Sequence, residues 1–413
     1  MGGMNMEKVY ERCCGIDVHK KVIVACLRIG NKKENQEFGT STRSLLLLSD
    51  WLIEHKCEMV AMESTGSYWK PLYNVLEAQG LPAIVVNAQH MRAVPGRKTD
   101  QKDAEWIADL LQHGLLKSSF IPSKAQRELR ELVSYRRSLT GEKSRELNRL
   151  QKMLEGGNIK LSGTISNVNG KTGRNILNAL VRGEDINQER LSELIVSHLK
   201  ADSNQILDDL QGILTPMQRK MIDIVLRHID ELDRYVAELD EEIDRSMSAD
   251  EKACVALLDG VAGIGPDSAK TILAIIGTDM SRFPSANHLC SWAGVAPGNN
   301  ESAGKRLSGR TTKGNKVLKS TLVQCAHAAV RVKSSFFHAQ YQRLSIRRGK
   351  KRAIVAVAHS MLIAIYHMLK NGQIFNDLGA DYYNQFNRER KINSLLKKLH
   401  LLGWEQQTVA VTG

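Results

Sequence analysis

A chain of 413 residues with 42% hydrophobic residues is long enough for two or three domains, each with a sizeable core. No apolar run approaches the ~18 residues of a membrane helix, no apolar leader opens the chain, and seven cysteines without a CxxC pair fit a reduced, cytoplasmic protein without disulfides or a zinc site. The formal net charge is +13, and residues 301–352 carry fourteen Lys and Arg against the single acid Glu301, an excess equal to that of the whole chain.

Such a one-sign block points to a polyanionic partner, because a solvated face would mix signs. Nucleic acid fits, since each neutralised phosphate releases counterions. A membrane surface fits less well, because Gly304, Gly309 and Gly314 interrupt the region.

Residues 7–118 read as one α/β unit, with strands at 14–17, 22–29, 37–39, 59–63 and 83–87 and helices near 44–55, 68–79 and 100–113. Hairpin strands first and strand–helix alternation afterwards predict a mixed sheet flanked by helices. The adjacent Cys13 and Cys14 read as buried strand residues. Three acidic motifs stand in this unit. GIDVHK places Asp17 in a Val-, Ile- and Cys-rich run that turns at residues 19–21. MESTGSYW places Glu63 at the end of an apolar strand. KTDQKDA puts Asp100 and Asp103 three residues apart, on one face of a starting helix.

Each acid has an ordinary structural reading when taken singly. Asp17 fits a strand-end turn, Glu63 a solvated surface, and Asp100 with Asp103 a helix cap and its dipole complement. Together, at strand ends and a helix start, they can converge. Four oxygen ligands suit Mg²⁺, which leaves positions for waters and phosphate oxygens. The reading is a metal-dependent phosphoryl-transfer site.

Residues 119–250 read as a helical spacer. The segment 123–155 is charged and helical with a thin leucine stripe, and a Gly- and Asn-rich break follows at 156–173. Thr215–Pro216 then signals a helix start. Val225, Ile229, Leu232, Val236, Leu239 and Ile243 step by four and three, a coiled-coil seam of nearly three heptads. This seam serves equally as packing within the chain or as a subunit contact.

Residues 257–276 look like a helix-hairpin-helix. Its Gly263 and Gly265 either present backbone N–H groups to a phosphate or simply supply the turn's backbone angles. Residues 296–315, APGNNESAGKRLSGRTTKGN, show no hydrophobic periodicity and read as a basic loop. Its Lys305, Arg306, Arg310 and Lys313 can grip a phosphodiester.

The three acidic motifs, with the GVAGIG and FPSANHLCSWAGVAPGNNES strings, resemble the DEDD-type insertion-sequence transposases, the bridge-RNA-guided recombinases. The resemblance covers the N-terminal motifs and residues 257–377. It implies a RuvC-like, ribonuclease-H-type domain at 7–118, with Asp17, Glu63, Asp100 and Asp103 as catalytic metal ligands for Mg²⁺. It also implies a mainly helical C-terminal transposase domain at 251–377, leaving a tail at 378–413. The inserted residues 156–211 are longer than in compact relatives. By the same resemblance Ser302 is the catalytic nucleophile, with Ser308 as the competing assignment among the basic residues.

The partners implied are donor and target DNA, a structured noncoding guide RNA, and further copies of the chain in a dimer or tetramer. The implied chemistry is serine attack on a phosphodiester, followed by rejoining. Three other readings compete: a RuvC-like junction-resolving nuclease using water, an actin-like or sugar-kinase ATPase, and a nucleic-acid-binding scaffold with structural acids. VHKKV after Asp17 lacks the small Gly/Thr turn that would cradle ATP phosphates, which argues against the ATPase.

Overall fold

The computed structural model describes residues 8–64, 66–87, 103–196, 201–298, 300–302, 305–308, 310–311, 313–383 and 388–402. Asp100 lies outside the described residues. The chain divides into two compact units, Met1–Pro122 and Ser123–Gly413.

The first unit is built on β1 (Arg12–Val18), β2 (Val22–Ile29), β3 (Lys32–Gly39), β4 (Met59–Glu63) and β5 (Ala83–Val86), in the order β3-β2-β1-β4-β5. β1, β2 and β3 form antiparallel hairpins, whereas β4 and β5 run parallel to β1. The first turn closes where the His19 amide donates to the Val22 carbonyl at 3.0 Å. Helices α1 (Thr42–Glu54) and α2 (Trp69–Ala78) return the chain to the parallel strands, and α3 (Asp103–Gln112) is followed by a segment that bridges back to the sheet at Ser118 and Val86.

β3 is longer than its sequence predicts. Its first five residues, Lys-Lys-Glu-Asn-Gln, are exposed and carry no apolar alternation, yet their backbone pairs with β2 along its full length.

Because strand side chains alternate faces, the sheet sorts its residues by parity. Cys14, Ile16 and Val18, with Val60 and Met62, pack against Leu45, Leu48 and Leu52 of α1 and Leu72 and Leu76 of α2. Cys13 and Ala61, on the other face, meet Ile107 and Leu111 of α3. Both adjacent cysteines are buried, and burial pushes the Cys13 thiol up to about 12.

Gly15 shares the α3 face. A Cβ there would stand 2.8 Å from the Ala108 Cα, and closer still to the Ala104 carbonyl and Ala108 amide. Glycine is therefore what lets α3 lie flush on β1. The outer flank of α3 is tied down by Arg28–Asp109 at 2.9 Å and Lys33–Glu105 at 2.8 Å.

The second unit opens with α4 (Lys124–Gly156) against α9 (Pro216–Ser246). Arg136 pairs with Asp240 and Lys143 with Asp233, so the two helices run antiparallel. α9 starts as the sequence predicts, with a Thr215–Gln218 capping box and Pro216 in the first turn. The heptad seam is satisfied within the chain at both ends. Val225 and Ile229 pack with Leu150 and Leu154, and Ile243 packs with Leu129 and Val133.

The inserted residues form short helices α5 (Leu161–Thr164), α6 (Lys171–Arg182), α7 (Gln188–Leu194) and α8 (Ser203–Asp209). Their Leu161, Ile176, Leu177, Leu191 and Ile206 join that same core, so the insertion caps one end of the helical pair.

The C-terminal core gathers α10 (Ala249–Asp259), α11 (Pro266–Ile276), α12 (Ala286–Ala293), α13 (Lys316–Ala329), α14 (Phe336–Arg348) and α15 (Lys350–Asn371). Two sequence expectations are corrected here. The segment read as a loop contains a two-stranded hairpin, β6 (Asn300–Ser302) with β7 (Lys305–Ser308). Strands of three and four residues, almost wholly polar, leave no hydrophobic alternation to detect.

The second correction concerns α15, which is long and apolar enough to cross a membrane by length and composition, contrary to the reading that no such run exists. Its Ile354, Val357, Met361, Leu362 and Ile365 are buried in the C-terminal core. It is the core helix of this unit, apolar because several helices surround it. A final helix, α16 (Arg388–Leu401), follows.

The seat of α3 is testable. Gly15→Val should destabilise the N-terminal unit by at least the ~1–3 kcal/mol of core overpacking, read as an earlier urea transition. Parent-like stability would show that α3 does not depend on Gly15.

Candidate active site

Three of the four predicted acids come together at the C-terminal ends of the interior strands β1 and β4 of the N-terminal sheet. Asp17 shares strand parity with Gly15, and so lies on the α3 face. The parallel register pairs Gly15 with Ala61 and Ile16 with Met62, which sets Asp17 beside Glu63 on the neighbouring strand. α3, seated at Gly15, starts at Asp103. After Glu63 the chain turns through Gly66, whose φ of 55° lies in the left-handed region, and then enters α2.

The electrostatics agree with this convergence. The Asp17 carboxyl is held above its ordinary range, first by burial and then by the like charges of Asp103 and Glu63, while His19 acts in the opposite direction. His19 Nε2 lies 2.9 Å from Asp17 Oδ2. The sequence reading treated His19 only as a turn residue and passed over Gly15. Strand parity from Asp17 was the signal that could have found Gly15.

Asp17, Glu63 and Asp103 are all hard oxygen donors, the type that suits Mg²⁺, and their mutual repulsion is what a divalent cation would relieve. Among the described residues no three His, Cys, Asp or Glu side chains are gathered closely enough to hold a metal ion. The carboxylates are thus neighbours in charge without forming a closed ligand cage.

In the second unit Ser302 stands opposite Lys305 at the end of the β-hairpin, and Ser308 stands opposite Asn300. Arg306 pairs in register with Glu301 along the same ladder. Arg310 and Lys313 are exposed just beyond it.

The two glycines of the helix-hairpin-helix differ. Gly263 has a φ of 85°, and a Cβ there would lie 2.8 Å from the Ala329 Cα, so its backbone angle and its approach to α13 both require glycine. Gly265 is exposed and caps the N-terminus of α11, and a methyl group in place of its hydrogen would meet nothing within 4 Å. Asp267 already stands in the first turn of that helix, paired with Arg136 at 2.8 Å.

The comparisons with known proteins bear on both units. A DEDD transposase family model of the IS110 type matches residues 14–159. A second, described as the transposase IS116/IS110/IS902 family, matches residues 255–342. The chain belongs to the IS110-type transposases. Among its relatives, a pilin gene-inverting protein of Moraxella lacunata is 24% identical over 90% of this chain and 98% of its own length. A probable family 20 transposase of Pseudomonas aeruginosa is 23% identical over 89% of this chain and 96% of its own length.

An insertion element IS110 protein of Streptomyces coelicolor is 26% identical over 68% of this chain and 73% of its own length. As a transposase, the protein is an enzyme that cuts and rejoins DNA. The two family matches span Asp17, Glu63 and Asp103 in the first unit, and Ser302 and Ser308 in the second.

The raised Asp17 carboxyl sets a pH dependence. The folded protein binds more protons than the unfolded chain between the ordinary 3.8 and the raised value, so stability falls as pH rises through that window and stays lower above it. Asp17→Asn should therefore melt at a higher temperature than the parent at pH 7 without metal, with the gap closing below the ordinary value. Thermal melts across pH would read this. A variant less stable at pH 7 would mean that Asp17 is a net stabilising charge.

Proposed function

We propose that this transposase cuts and rejoins DNA strands through two cooperating centres: the acids Asp17, Glu63, Asp100 and Asp103 of a RuvC-like first unit, and Ser302 of the second. The observation that carries the reading is the convergence of Asp17, Glu63 and Asp103 on one face of the mixed sheet, reflected in the raised Asp17 carboxyl. Mg²⁺, when bound by these carboxylates, supplies charge for orienting the scissile phosphate and stabilising its transition state.

His19 would hold the Asp17 carboxylate in place from the solvent side. A serine hydroxyl is a weak nucleophile at neutral pH and needs a base or charge stabilisation nearby. In the proposed step the Ser302 Oγ–phosphorus bond forms as the phosphorus–O3′ bond breaks. The hydroxyl proton passes to solvent or a base, and the departing 3′ oxygen takes up a proton. The phosphoserine ester conserves the phosphodiester linkage, so a new 3′ hydroxyl can reverse the step without ATP.

Lys305, Arg306, Arg310 and Lys313, which follow Ser302 in sequence, would grip the strand's phosphates, and the Gly265 helix start would add a further contact. The family resemblance supports a structured noncoding RNA as the guide, with base pairing reading sequence and the protein reading shape. It also supports a homo-oligomer, in which the acids of one copy serve the serine of another.

Asp103→Asn should lower Mg²⁺-dependent strand cleavage by more than the roughly 10–100-fold that loss of an outer-shell metal partner costs, with the fold retained by circular dichroism. Ser302→Ala should abolish the covalent protein–DNA adduct on denaturing gels while DNA affinity persists. An adduct that survives Ser302→Ala and disappears in Ser308→Ala would move the nucleophile to Ser308. Cleavage without any adduct in the parent protein would favour a water nucleophile.

The oligomeric part has its own readout. Mixing Asp103→Asn protein with Ser302→Ala protein should restore part of the activity. Mixed oligomers that form and stay inactive would place a complete site in each copy.

A further inference from the structure

A cavity of about 1130 Å³ lies in the second unit at the base of the β6–β7 hairpin. Pro297 and Thr311, which bridge the two strands leading into the hairpin, line one wall with Arg310. α14 and α15 supply most of the rest, among them Gln340, Leu344, Arg348, Lys351, Arg352 and His359. Its size slightly exceeds the ~300–1,000 Å³ typical of small-ligand pockets, as suits a groove open to a longer chain.

Three features define what fits there. First, the lining holds four cations and no acid. Arg348, Lys351 and Arg352 are exposed, and no carboxylate among the described residues pairs with them. Second, Leu344, Val355 and Ala356 give an aliphatic wall beside those cations. Third, two side chains of the wall, Gln340 and His359, each keep a polar atom, Oε1 and Nδ1, closed off behind the wall without a hydrogen-bond partner, which a ligand meets once those side chains turn toward the groove.

At its other end Gln340 Nε2 donates to Ser360 Oγ at 2.7 Å. Burial lowers the His359 pKa and favours the neutral ring. Buried polar atoms without partners are rare in native proteins and call for an explanation, such as a ligand.

We propose that this groove binds an unpaired nucleotide of a strand that passes the β6–β7 hairpin, its phosphates held by Arg310, Arg348, Lys351 and Arg352 and its base set against the aliphatic wall with its edge hydrogen-bonded to Gln340 and His359. The proposal rests on the reading that this enzyme handles single strands during cutting. Cations for the backbone, an apolar surface for the base face and polar groups for the base edge are together what an extruded nucleotide requires. A duplex keeps its bases stacked and cannot offer one to the inner wall. Gln340 lies within the matched transposase region, whereas Arg348, Lys351, Arg352 and His359 lie beyond residue 342, where the match ends.

The test uses the full-length protein and a labelled 12-nucleotide strand of mixed sequence, as DNA and as RNA, followed by fluorescence anisotropy against salt. Arg348→Ala/Arg352→Ala should lose at least tenfold in affinity. Its log–log salt slope should shrink by about 1.4, from roughly 0.7 per phosphate contact on single strands. Gln340→Leu, similar in size, should lose several-fold for the normal strand and nothing for the same strand with abasic sites.

A photo-reactive 5-iodouridine strand should crosslink to residues 340–359, and the tighter of the DNA and RNA arms identifies the strand held. Unchanged affinity and slope in the double variant would overturn the site. Equal loss on normal and abasic strands in Gln340→Leu would overturn base recognition, as would equal crosslinking by a duplex of the same sequence. A parent protein that binds the strand in this groove but cleaves no DNA with Mg²⁺ present would count against the proposed chemistry and leave this inference standing.

Discussion

Everything at the candidate metal site depends on the contact between α3 and β1 at Gly15. A helix backbone can come this close to a strand only where no Cβ intervenes, and Gly15 stands one strand repeat before Asp17 on the same face. That contact brings the first turn of α3, and with it Asp103, to the end of β1 where Asp17 and Glu63 already stand side by side. The ion pairs Arg28–Asp109 and Lys33–Glu105 then hold the helix against sliding. The sheet supplies two acids by register alone; the glycine supplies the third.

The arrangement is not one that stability alone would select. Burial and two neighbouring acids disfavour ionisation of Asp17, and only His19 acts against them. Elsewhere among the described residues several carboxylates are matched with cations, as in Arg136–Asp240 and Arg174–Asp230. Local rules that are kept across a protein and broken at one place usually mark that place as functional. A divalent cation would turn the same repulsion into ligand binding.

The second unit solves a different problem. Its long helical pair, α4 with α9, is clamped by ion pairs along its length and capped at one end by the inserted helices. At the other end Leu129, Val133 and Ile243 join Ala274 of α11, and the Arg130 guanidinium donates to the last carbonyls of α11. This rigid frame carries the C-terminal core, whose surface bears the β-hairpin and the cationic groove beside it.

Much was legible in the residues alone: the mixed sheet and its strand locations, the acidic motifs at strand ends, the Thr215–Pro216 helix start and the concentration of positive charge in residues 301–352. These follow from local periodicity, capping chemistry and composition, which act within a few residues. The full extent of β3 was not legible, because the backbone of a polar strand pairs without any apolar pattern. Nor was the β6–β7 hairpin, for the same reason. The apolar composition of α15 reflects helices drawn around it from across the second unit. The heptad of α9 is resolved by what it packs against, and the nearness of Gly15 to α3 depends on residues almost a hundred positions apart. The sequence by itself determined which residues can carry charge, metal or strand character. Only the tertiary structure decided which of them share a face, because that is set by register and packing between distant segments.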